Sequence, residues 1–384
     1  MKALLALLHN NLFRLRYAGR VRNWMSAGSA LRPELPRFLI SGFMHEALGI
    51  GRAALLNAEA LREEGFSVVT EDLRSLQRGL LTRPAGAMPE GDHNCWLIHA
   101  NPPEARMALF ARQESQWRGL YRIGYWAWES DLAPASWLDC AAYFHELWVP
   151  SPFVAEAFAR AFAQAGMAGQ SAKLRVVPHP VAVPDLAARR SGGPVRVLTL
   201  FDPRSSFERK NPAGAISAWI QAFPESSDRA ELVVKSLAGA EVYPEFARLK
   251  QLVGGRADID FVCETLDAVA QQAFLQNGDV VLSLHRAEGF GLPLAEAMAA
   301  GLAVIATEGT GNGSFMSGET AILIPGRPVP ASPLYNGPGA RWLEPDIGAA
   351  ADALRRLVAD AELRQGLGQR ARDQMKMLRR NWKI

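Results

Sequence analysis

The chain has 384 residues, enough for about two to three domains, and its 49% hydrophobic and 21% charged residues exclude a disordered chain. The 42 Lys and Arg residues nearly balance 39 Asp and Glu, so the net charge of +3 argues against a nucleic-acid-binding protein. Three widely separated cysteines without a CxxC pair exclude a disulfide framework and fit a reducing cytoplasm.

The first 37 residues are distinctly basic, with seven Lys and Arg residues against the single acid Glu34. Leucines are interleaved with these cations. Two interpretations stay open, a segment lying on an anionic membrane surface and a leader packed on the domain or solvated. No stretch approaches 18 consecutive apolar residues, so we expect no transmembrane helix.

The first half of the chain alternates short apolar segments with helical ones. A glycine-bearing turn follows the first strand, and the helix after it ends near Glu64, with Gly65 as its stop. A second helix is expected at 153–165. The predicted strands are 37–41, 66–69, 95–99, 122–126, 147–149 and 175–177. This alternation is typical of a parallel sheet covered on both faces.

The same alternation begins again at residue 195. Helices are expected at 212–222, 347–359 and 361–378, and the Pro- and Gly-rich stretch 326–341 reads as an irregular loop. The predicted strands are 195–200, 231–235, 259–262, 280–284, 303–306 and 321–324. We therefore predict an α/β protein of two Rossmann-like, doubly wound domains facing a central cleft. The predicted divisions are a first domain at 1–184, a linker at 185–194, a second domain at 195–362 and a C-terminal helix at 363–384.

The strongest chemical signal is the stretch 285–298, which follows a predicted strand and opens a helix. Gly289 and Gly291 leave backbone amides unobstructed, and amides at a helix N-terminus bind anions. Glu288 precedes these amides and Glu296 lies about one turn inside the helix. Carboxylates accept hydrogen bonds from sugar hydroxyls, so we interpret the motif as a phosphate site flanked by two hydroxyl-binding groups, which fits a nucleotide sugar. The alternative is a helix-terminal charge and a solvated helical Glu.

A second signal follows the first strand of the second half. Arg209 and Lys210 stand immediately before a predicted helix. A diphosphate leaving group gains negative charge as its bond to the sugar breaks, and cations placed beside it stabilise that change without a metal ion. The alternative is a solvated basic loop.

The stretch 285–298 resembles the Glu-x7-Glu motif of the retaining GT-B glycosyltransferases of family 4 (group 1). The resemblance implies that Glu288 contacts hydroxyls of the transferred sugar and that Glu296 holds the ribose of the nucleotide. It implies donor binding by the backbone of Gly289, Phe290, Gly291 and Leu292. The family also carries Arg, five residues, then Lys, and Arg204 and Lys210 match that spacing, with Arg209 as an extra cation.

The stretch 309–316 resembles a branch of this family that builds bacterial surface polysaccharides, the O-antigen and exopolysaccharide mannosyltransferase-like enzymes. Asn312 belongs to that stretch, with donor contact and turn formation as its two open interpretations. The segment from Trp342 to Asp346 recurs in the same branch. Such chains commonly end in a helix that crosses back to the first domain.

The first half departs from the family pattern. Gly49 and Gly51 open a helix whose amides either face the donor or only form a turn. Family members carry a catalytic His at the end of a strand where this chain has the run from Trp126 to Glu129. Glu129 either orients the acceptor hydroxyl or donor sugar, or belongs to the protein core. The tryptophans Trp126 and Trp128 either stack on a sugar ring or pack in the core.

The resemblance implies a retaining, metal-independent transfer of a hexose, mannose by analogy, from a GDP- or UDP-sugar. The implied acceptor is a glycan or lipid-linked oligosaccharide in surface polysaccharide or lipopolysaccharide biosynthesis, at the cytoplasmic face of the inner membrane. We expect no metal site and no nucleic-acid partner. The alternatives are a nucleotide-sugar epimerase or phosphorylase on the same fold, and a catalytically inactive glycan-binding subunit.

Overall fold

A computed structural model describes residues 30–45, 49–74, 87–186, 192–332 and 339–384. Contacts between Cα atoms divide these residues into two compact units. The first runs to His179 and includes 331–340, and the second comprises 180–330 and 341–384. Most of the basic leader, residues 1–29, lies outside the described residues, as does the part of the predicted linker at 187–191.

The first unit is built on a parallel sheet. Its described residues form six strands in the order β2-β1-β3-β4-β5-β6. The strands are β1 (Arg37–Gly42), β2 (Ser67–Asp72), β3 (Cys95–His99), β4 (Tyr121–Tyr125), β5 (Glu146–Val149) and β6 (Leu174–Val176). The helices are α1 (Gly49–Glu63), α2 (Pro102–Phe110) and α3 (Pro152–Gln164). Strands β3 and β4 are buried along their whole length, as expected for a sheet covered on both faces.

Local sequence explains where these helices begin and end. α3 begins where Ser151 accepts a hydrogen bond from the Val154 amide at 3.3 Å, and Pro152 occupies its first position. Gly65, with a φ of 87°, follows α1 in the left-handed conformation that glycine adopts readily. The predicted stop of this helix is therefore confirmed.

The second unit repeats the architecture. Its described residues form six parallel strands in the order β12-β11-β10-β7-β8-β9. These strands are β7 (Val195–Leu200), β8 (Ala230–Ser236), β9 (Ile259–Cys263), β10 (Val280–Ser283), β11 (Ala303–Thr307) and β12 (Ile322–Ile324). The helices are α4 (Phe207–Lys210), α5 (Pro212–Ala222), α6 (Pro244–Val253), α7 (Ala268–Gln276), α8 (Leu292–Ala299), α9 (Ile347–Ala359) and α10 (Ala361–Arg380). The predicted doubly wound α/β architecture is confirmed in both units.

In each six-stranded sheet the strand order reverses at the first strand, which has later strands on both sides. In the second unit, β7 lies between β8 and β10, so the loops that follow β7 and β10 diverge at their carboxyl ends. Val197 pairs with Val280 and Leu198 with Val281, which fixes the two strand ends side by side. Ligands of open α/β sheets bind at such switch points. Both chemical motifs of the second half follow these two strands.

The stretch 326–341 was predicted to be an irregular loop, and that prediction is wrong at its ends. β13 (Gly326–Pro330) pairs antiparallel with β14 (Arg341–Pro345). Pro328 and Pro330 lack amide protons and suggest a loop by composition. In a two-stranded ladder each strand keeps an open edge, however, so proline is tolerated there.

The final helix, α10, packs on α8 and β11 within the second unit. The Arg372 guanidinium donates to the Ala299 carbonyl at 2.7 Å and satisfies an acceptor at the end of α8. Gly368 lies so close to Gly301 that a Cβ atom would come within 2.1 Å of the Gly301 oxygen. This close approach holds α10 against the helix that carries Glu296.

Candidate functional site

The loop after β10 reaches α8 through a left-handed glycine. Gly291 has φ 92° and ψ 49°, and its carbonyl accepts from the amides of Leu294 and Ala295 at 2.9 and 3.1 Å. Pro293 stands in the first turn of the helix, where its missing N–H is not needed. Glu296 is half-buried on α8. The predicted strand–loop–helix context of the motif is present.

The segment at Gly311 packs against the backbone of the loop that carries Glu288 and Gly289. The Gly311 amide donates to the Glu288 carbonyl at 2.8 Å. A Cβ atom at Gly311 would stand 2.1 Å from the Gly289 oxygen and 2.6 Å from the Glu288 oxygen. Only glycine permits this approach, so the shape of the loop at Glu288 depends on a residue more than twenty positions away.

Glu288 lies in a buried ion cluster with Lys210 and Arg209. Its carboxylate accepts a hydrogen bond from Lys210 Nζ at 2.5 Å and is 3.4 Å from Arg209 Nη1. Only 8% of Glu288 is exposed. Burial by itself would raise the pKa of this carboxyl, but Lys210 and Arg209 outweigh it and lower the pKa to about 2. Glu288 is therefore ionised throughout the physiological range.

Arg209 fastens the two loops together. Its guanidinium donates to the Ala287 carbonyl at 2.8 Å and to Ser205 Oγ at 2.5 Å. Its own carbonyl accepts from the Arg286 amide at 2.7 Å. Arg209 is 5% exposed. Its buried guanidinium therefore links the segments at 205 and 287 by hydrogen bonds, and its charge also lies beside Glu288.

Asn211 sets the direction of the chain after Lys210. With a φ of 51° it is the one non-glycine residue of the described chain in the left-handed region. Its Nδ2 donates to the Leu284 carbonyl at 2.8 Å, and its Oδ1 accepts from the Gly214 amide at 3.1 Å. The side chain thus caps α5 and also binds the end of β10, which compensates for the strained backbone.

Arg286 extends the cluster to the hairpin of β13 and β14. Its Nε donates to Glu344 Oε2 at 2.6 Å and its Nη2 to Glu344 Oε1 at 3.0 Å. Its Nη1 donates to the Glu208 carbonyl, next to Arg209. The hairpin that the sequence did not predict is therefore fixed to α4, the short helix that carries Lys210.

The sequence-predicted Arg204 pairs with Asp202 at 2.9 Å, and 41% of its side chain is exposed. The structure brings Lys210, Arg209 and Glu288 together within bonding distance and places Arg204 on a more exposed turn. Phe290 and Leu292 are buried, and Phe290 packs on Phe315 with ring centroids 4.8 Å apart.

A buried hydrogen-bond relay lies behind the Glu288 loop, and the sequence analysis did not assign it. The Asn312 amide donates to the Thr307 carbonyl at 3.0 Å, which leaves its Oδ1 to accept from Thr310 Oγ1 at 2.6 Å. Thr310 Oγ1 then accepts from His285 Nε2 at 3.0 Å, and His285 Nδ1 accepts from Ser283 Oγ at 3.0 Å. This fixes a neutral His285 with its proton on Nε2. Burial lowers the pKa of His285 to about 4.

In the first unit, polar side chains gather at the carboxyl ends of β3 and β4. The ring of His99 stacks on Tyr125 at 4.2 Å between centroids, and Tyr125 stacks on His179 at 5.3 Å. Asn57 Nδ2 lies 3.2 Å from His99 Nε2. Burial lowers the pKa of His99 to about 3. The sequence shows His99 at a strand end, but only the fold reveals its partners.

Two carboxyl groups lie nearby in sequence. Glu104 is half-buried in the first turn of α2, and burial raises its pKa to about 7; the sequence analysis passed over it. Glu129 is half-buried in the loop after β4. Of the glycines predicted to bind the donor, Gly49 begins α1 and Gly51 is buried within its first turn.

The tryptophans before Glu129 belong to the core. Trp126 is fully buried and packs against Phe144 and Phe158. Trp128 packs against Trp137, and its Nε1 donates to Ser130 Oγ and the Leu132 carbonyl, each at 2.8 Å. Of the two interpretations of these residues, the structure supports core packing.

The described residues contain no group of three or more His, Cys, Asp or Glu side chains arranged to hold a metal ion. Among the helices in the described part of the chain, none is both long enough and apolar enough to cross a membrane.

Comparison with known proteins gives a family match for part of the chain and structural matches for most of it. Residues 207–360 match the family model of the glycosyl transferases group 1. HepE from Anabaena, solved with UDP and glucose, superposes with a TM-score of 0.61 at 13% identity, over 89% of this chain and 95% of that one. Sucrose-phosphate synthase from Thermosynechococcus elongatus superposes with a TM-score of 0.60 at 16% identity, over 90% of this chain and 95% of that one.

TarM from S. aureus, solved with UDP, superposes with a TM-score of 0.54 at 12% identity. The match covers 75% of this chain but about half of TarM, 52% of its length. No curated protein matches the chain by sequence. The predicted GT-B fold class, two Rossmann-like α/β domains, is confirmed by these structural neighbours.

Proposed function

We propose that this protein is a retaining glycosyltransferase that binds a nucleotide-sugar donor on its second unit. The observation that carries the proposal is the buried cluster of Lys210, Arg209 and Glu288 beside the start of α8. The group 1 glycosyl transferase match of residues 207–360 includes all of these residues.

The chemistry follows from the charges. A diphosphate at the start of α8 accepts hydrogen bonds from backbone amides and is attracted by Lys210 and Arg209. As the bond between the anomeric carbon and the diphosphate breaks, negative charge grows on the leaving oxygens, and these cations stabilise it. Because they supply this positive charge, the transfer proceeds without a metal ion.

Two carboxylates are then available for hydroxyl groups. Competition by a diphosphate for Lys210 leaves Glu288 to accept hydrogen bonds from hydroxyls of the transferred sugar. Glu296, on the same helix, takes the ribose. Retention of the anomeric configuration follows from attack on the face that the diphosphate leaves, with a phosphate oxygen accepting the acceptor proton. In the first unit, Glu104 in the first turn of α2 and Glu129 in the loop after β4 bind acceptor hydroxyls.

The donor is a UDP- or GDP-linked hexose, mannose by analogy with the surface-polysaccharide branch. HepE and TarM, each solved with UDP, support the nucleotide part of this assignment. The acceptor is a glycan or lipid-linked oligosaccharide in surface-polysaccharide synthesis, reached at the cytoplasmic face of the inner membrane.

The first experiment measures thermal stabilisation by a panel of nucleoside diphosphates and nucleotide sugars, with and without EDTA. We expect nucleotides of one base to raise the melting temperature, and EDTA to leave that shift unchanged. Lys210→Gln should weaken the apparent affinity for these nucleotides at least tenfold. Lys250→Gln, which removes an exposed lysine of α6, is the matched control. A panel without any shift would contradict the donor site.

The second experiment follows the product. Incubation with donor and a glycan acceptor should give a glycoside with the anomeric configuration of the donor. The one-bond carbon–proton coupling constant at the anomeric carbon reports that configuration. Conversion of the donor without acceptor into its 2-epimer would instead identify an epimerase. An inverted product would overturn the retaining mechanism while leaving the donor site in place.

A further inference from the structure

An open cavity of about 390 Å³ lies at the amino-terminal ends of β4 and β5 in the first unit. Tyr121 begins β4, and His145 directly precedes β5. Ligands of parallel α/β sheets bind at the carboxyl ends of the strands, so this cavity is at the opposite end of the sheet from the expected substrate side. Its lining residues are Ala30, Leu31, Arg32, Tyr121, Arg122, Ala142, Phe144, His145 and Lys173.

The lining is basic. Three basic side chains, Arg32, Arg122 and Lys173, line the cavity. His145 accepts a hydrogen bond from the Arg122 amide through Nδ1, so its other ring nitrogen, Nε2, is left as a donor. Within the described residues no Asp or Glu lines the cavity. Such a lining attracts an anion.

Arg122 is a buried charge with no ion pair within 4 Å among the described residues; Glu114 attracts it from farther away, but burial outweighs this attraction and lowers the pKa of Arg122 to about 10. It is 3% exposed, and its hydrogen bonds go to backbone carbonyls, from Nε to Tyr143 and from Nη1 to Trp117, Arg118 and Leu120. Its Nη2 donates no hydrogen bond within this part of the chain. A buried charge lacking a counter-ion is costly, and an anion in the cavity would offset that cost.

Lys173 makes one hydrogen bond with the described residues. Its ammonium donates to the Ala141 carbonyl at 2.9 Å, one of three N–H groups that it carries. Burial, and the neighbouring charge of Arg122, lower the pKa of Lys173. The two cations therefore repel each other across the cavity, which a shared anion would relieve.

Glu146 pairs with other arginines and, among the described residues, makes no ion pair with Arg122 or Lys173. Its oxygens accept from Tyr121 and Trp148 at 2.9 and 2.7 Å, and Arg32 and Arg175 lie 3.4 and 3.7 Å away. The chain's own leader offers no counter-charge either, because residues 1–29 contain five Lys and Arg residues and no acid.

We propose that this cavity is a second anion site, which binds a phosphate group between Arg122, Lys173 and Arg32. The open cavity has a volume of about 390 Å³, which leaves room beside the phosphate for the rest of a soluble phosphate ester or of a phospholipid headgroup. The site is separate from the proposed donor site and does not depend on it.

The test is a titration of the protein with inorganic phosphate, in which ³¹P NMR measures the affinity. We expect Lys173→Gln and Arg32→Gln each to weaken binding at least tenfold with unchanged circular dichroism and melting temperature. Lys250→Gln, the exposed lysine of α6, should leave this affinity unchanged. Measurement in a Lys210→Gln background separates the cavity from the proposed donor site. Equal phosphate affinity in the wild type and both cavity variants would overturn the proposal.

Vesicle flotation identifies the source of the phosphate. Binding to phosphatidylglycerol vesicles, but not phosphatidylcholine vesicles, that falls at least fivefold in Lys173→Gln would support a lipid headgroup. Flotation unaffected by Lys173→Gln, together with Lys173-dependent binding of inorganic phosphate, would support a soluble phosphate ester. If both cavity variants keep wild-type phosphate binding and wild-type flotation, the proposal is overturned.

Discussion

The Glu288 carboxylate accepts a hydrogen bond from Lys210 Nζ at 2.5 Å, although the two residues stand 78 positions apart in the chain. Lys210 follows β7 and Glu288 follows β10, the two neighbouring strands at which the strand order of the second sheet reverses. The Lys210 side chain is 15% exposed and that of Glu288 10%, so the pair is largely removed from water. Removal of one partner therefore leaves a buried charge, whereas a bound diphosphate would replace one partner by another.

Lys210→Met should lower both stability and turnover. Arg209 remains beside Glu288, so we expect a loss of about 3 kcal/mol in the free energy of unfolding and a fall in kcat of roughly 100-fold or more. Urea unfolding and single-turnover assays measure the two effects. Lys250→Met, on an exposed face of α6, is the control, and near wild-type turnover in Lys210→Met would contradict the assignment.

Gly311→Ala should disrupt the Glu288 loop without touching a charged residue. Because the new Cβ would lie 2.1 Å from the Gly289 oxygen, we expect a loss of about 3 kcal/mol in stability and a loss of donor binding. Gly313→Ala is a matched control two residues away, where a Cβ meets no atom within 4 Å. Similar melting temperatures for the two variants would show that the 288–289 backbone moves freely.

His285 should be neutral down to low pH, with its proton on Nε2. ¹⁵N NMR of labelled histidine, assigned with His285→Gln, should report a protonated Nε2 and an unprotonated Nδ1. The signal should begin to titrate near the pKa of about 4. A titration midpoint near 6.5, or a proton on Nδ1, would contradict the hydrogen-bond relay from His285 through Thr310 to Asn312.

The same histidine predicts the sign of a pH effect on stability. The folded-state pKa of about 4 lies below the ordinary value of 6.5, so the unfolded chain binds the proton first. Stability should therefore fall as the pH drops from 6.5 towards 4 and be unaffected by this group above 6.5. His285→Gln should flatten that slope in chemical unfolding measured across the window.

Arg286→Lys should uncouple the hairpin from α4, the short helix that carries Lys210. Lysine keeps the charge but cannot bind both Glu344 oxygens and the Glu208 carbonyl. We expect about 1–2 kcal/mol less stability and a higher KM for the donor with a smaller change in kcat. Arg248→Lys, exposed on α6, should change neither, and an unchanged KM in Arg286→Lys would remove its positioning role.

Local sequence determined most of the fold. β3, β7 and α5 have the predicted bounds, 95–99, 195–200 and 212–222, because buried apolar runs and helix-starting Pro or Asn act within a few residues. The sequence also predicts that Glu288 and Lys210 both bind the donor, since the segments that follow parallel strands lie at the same edge of a sheet.

Only the tertiary structure decided the rest. The Pro-rich hairpin, the approach of Gly311 to Gly289, the left-handed Asn211 and the relay from Ser283 to Thr307 all depend on residues distant in the chain. The sequence shows that Glu288 can bind hydroxyls and that Lys210 can bind phosphate. The packed fold brings Lys210 Nζ within 2.5 Å of a Glu288 carboxylate oxygen, because β7 and β10, far apart in the chain, are neighbours in the second sheet.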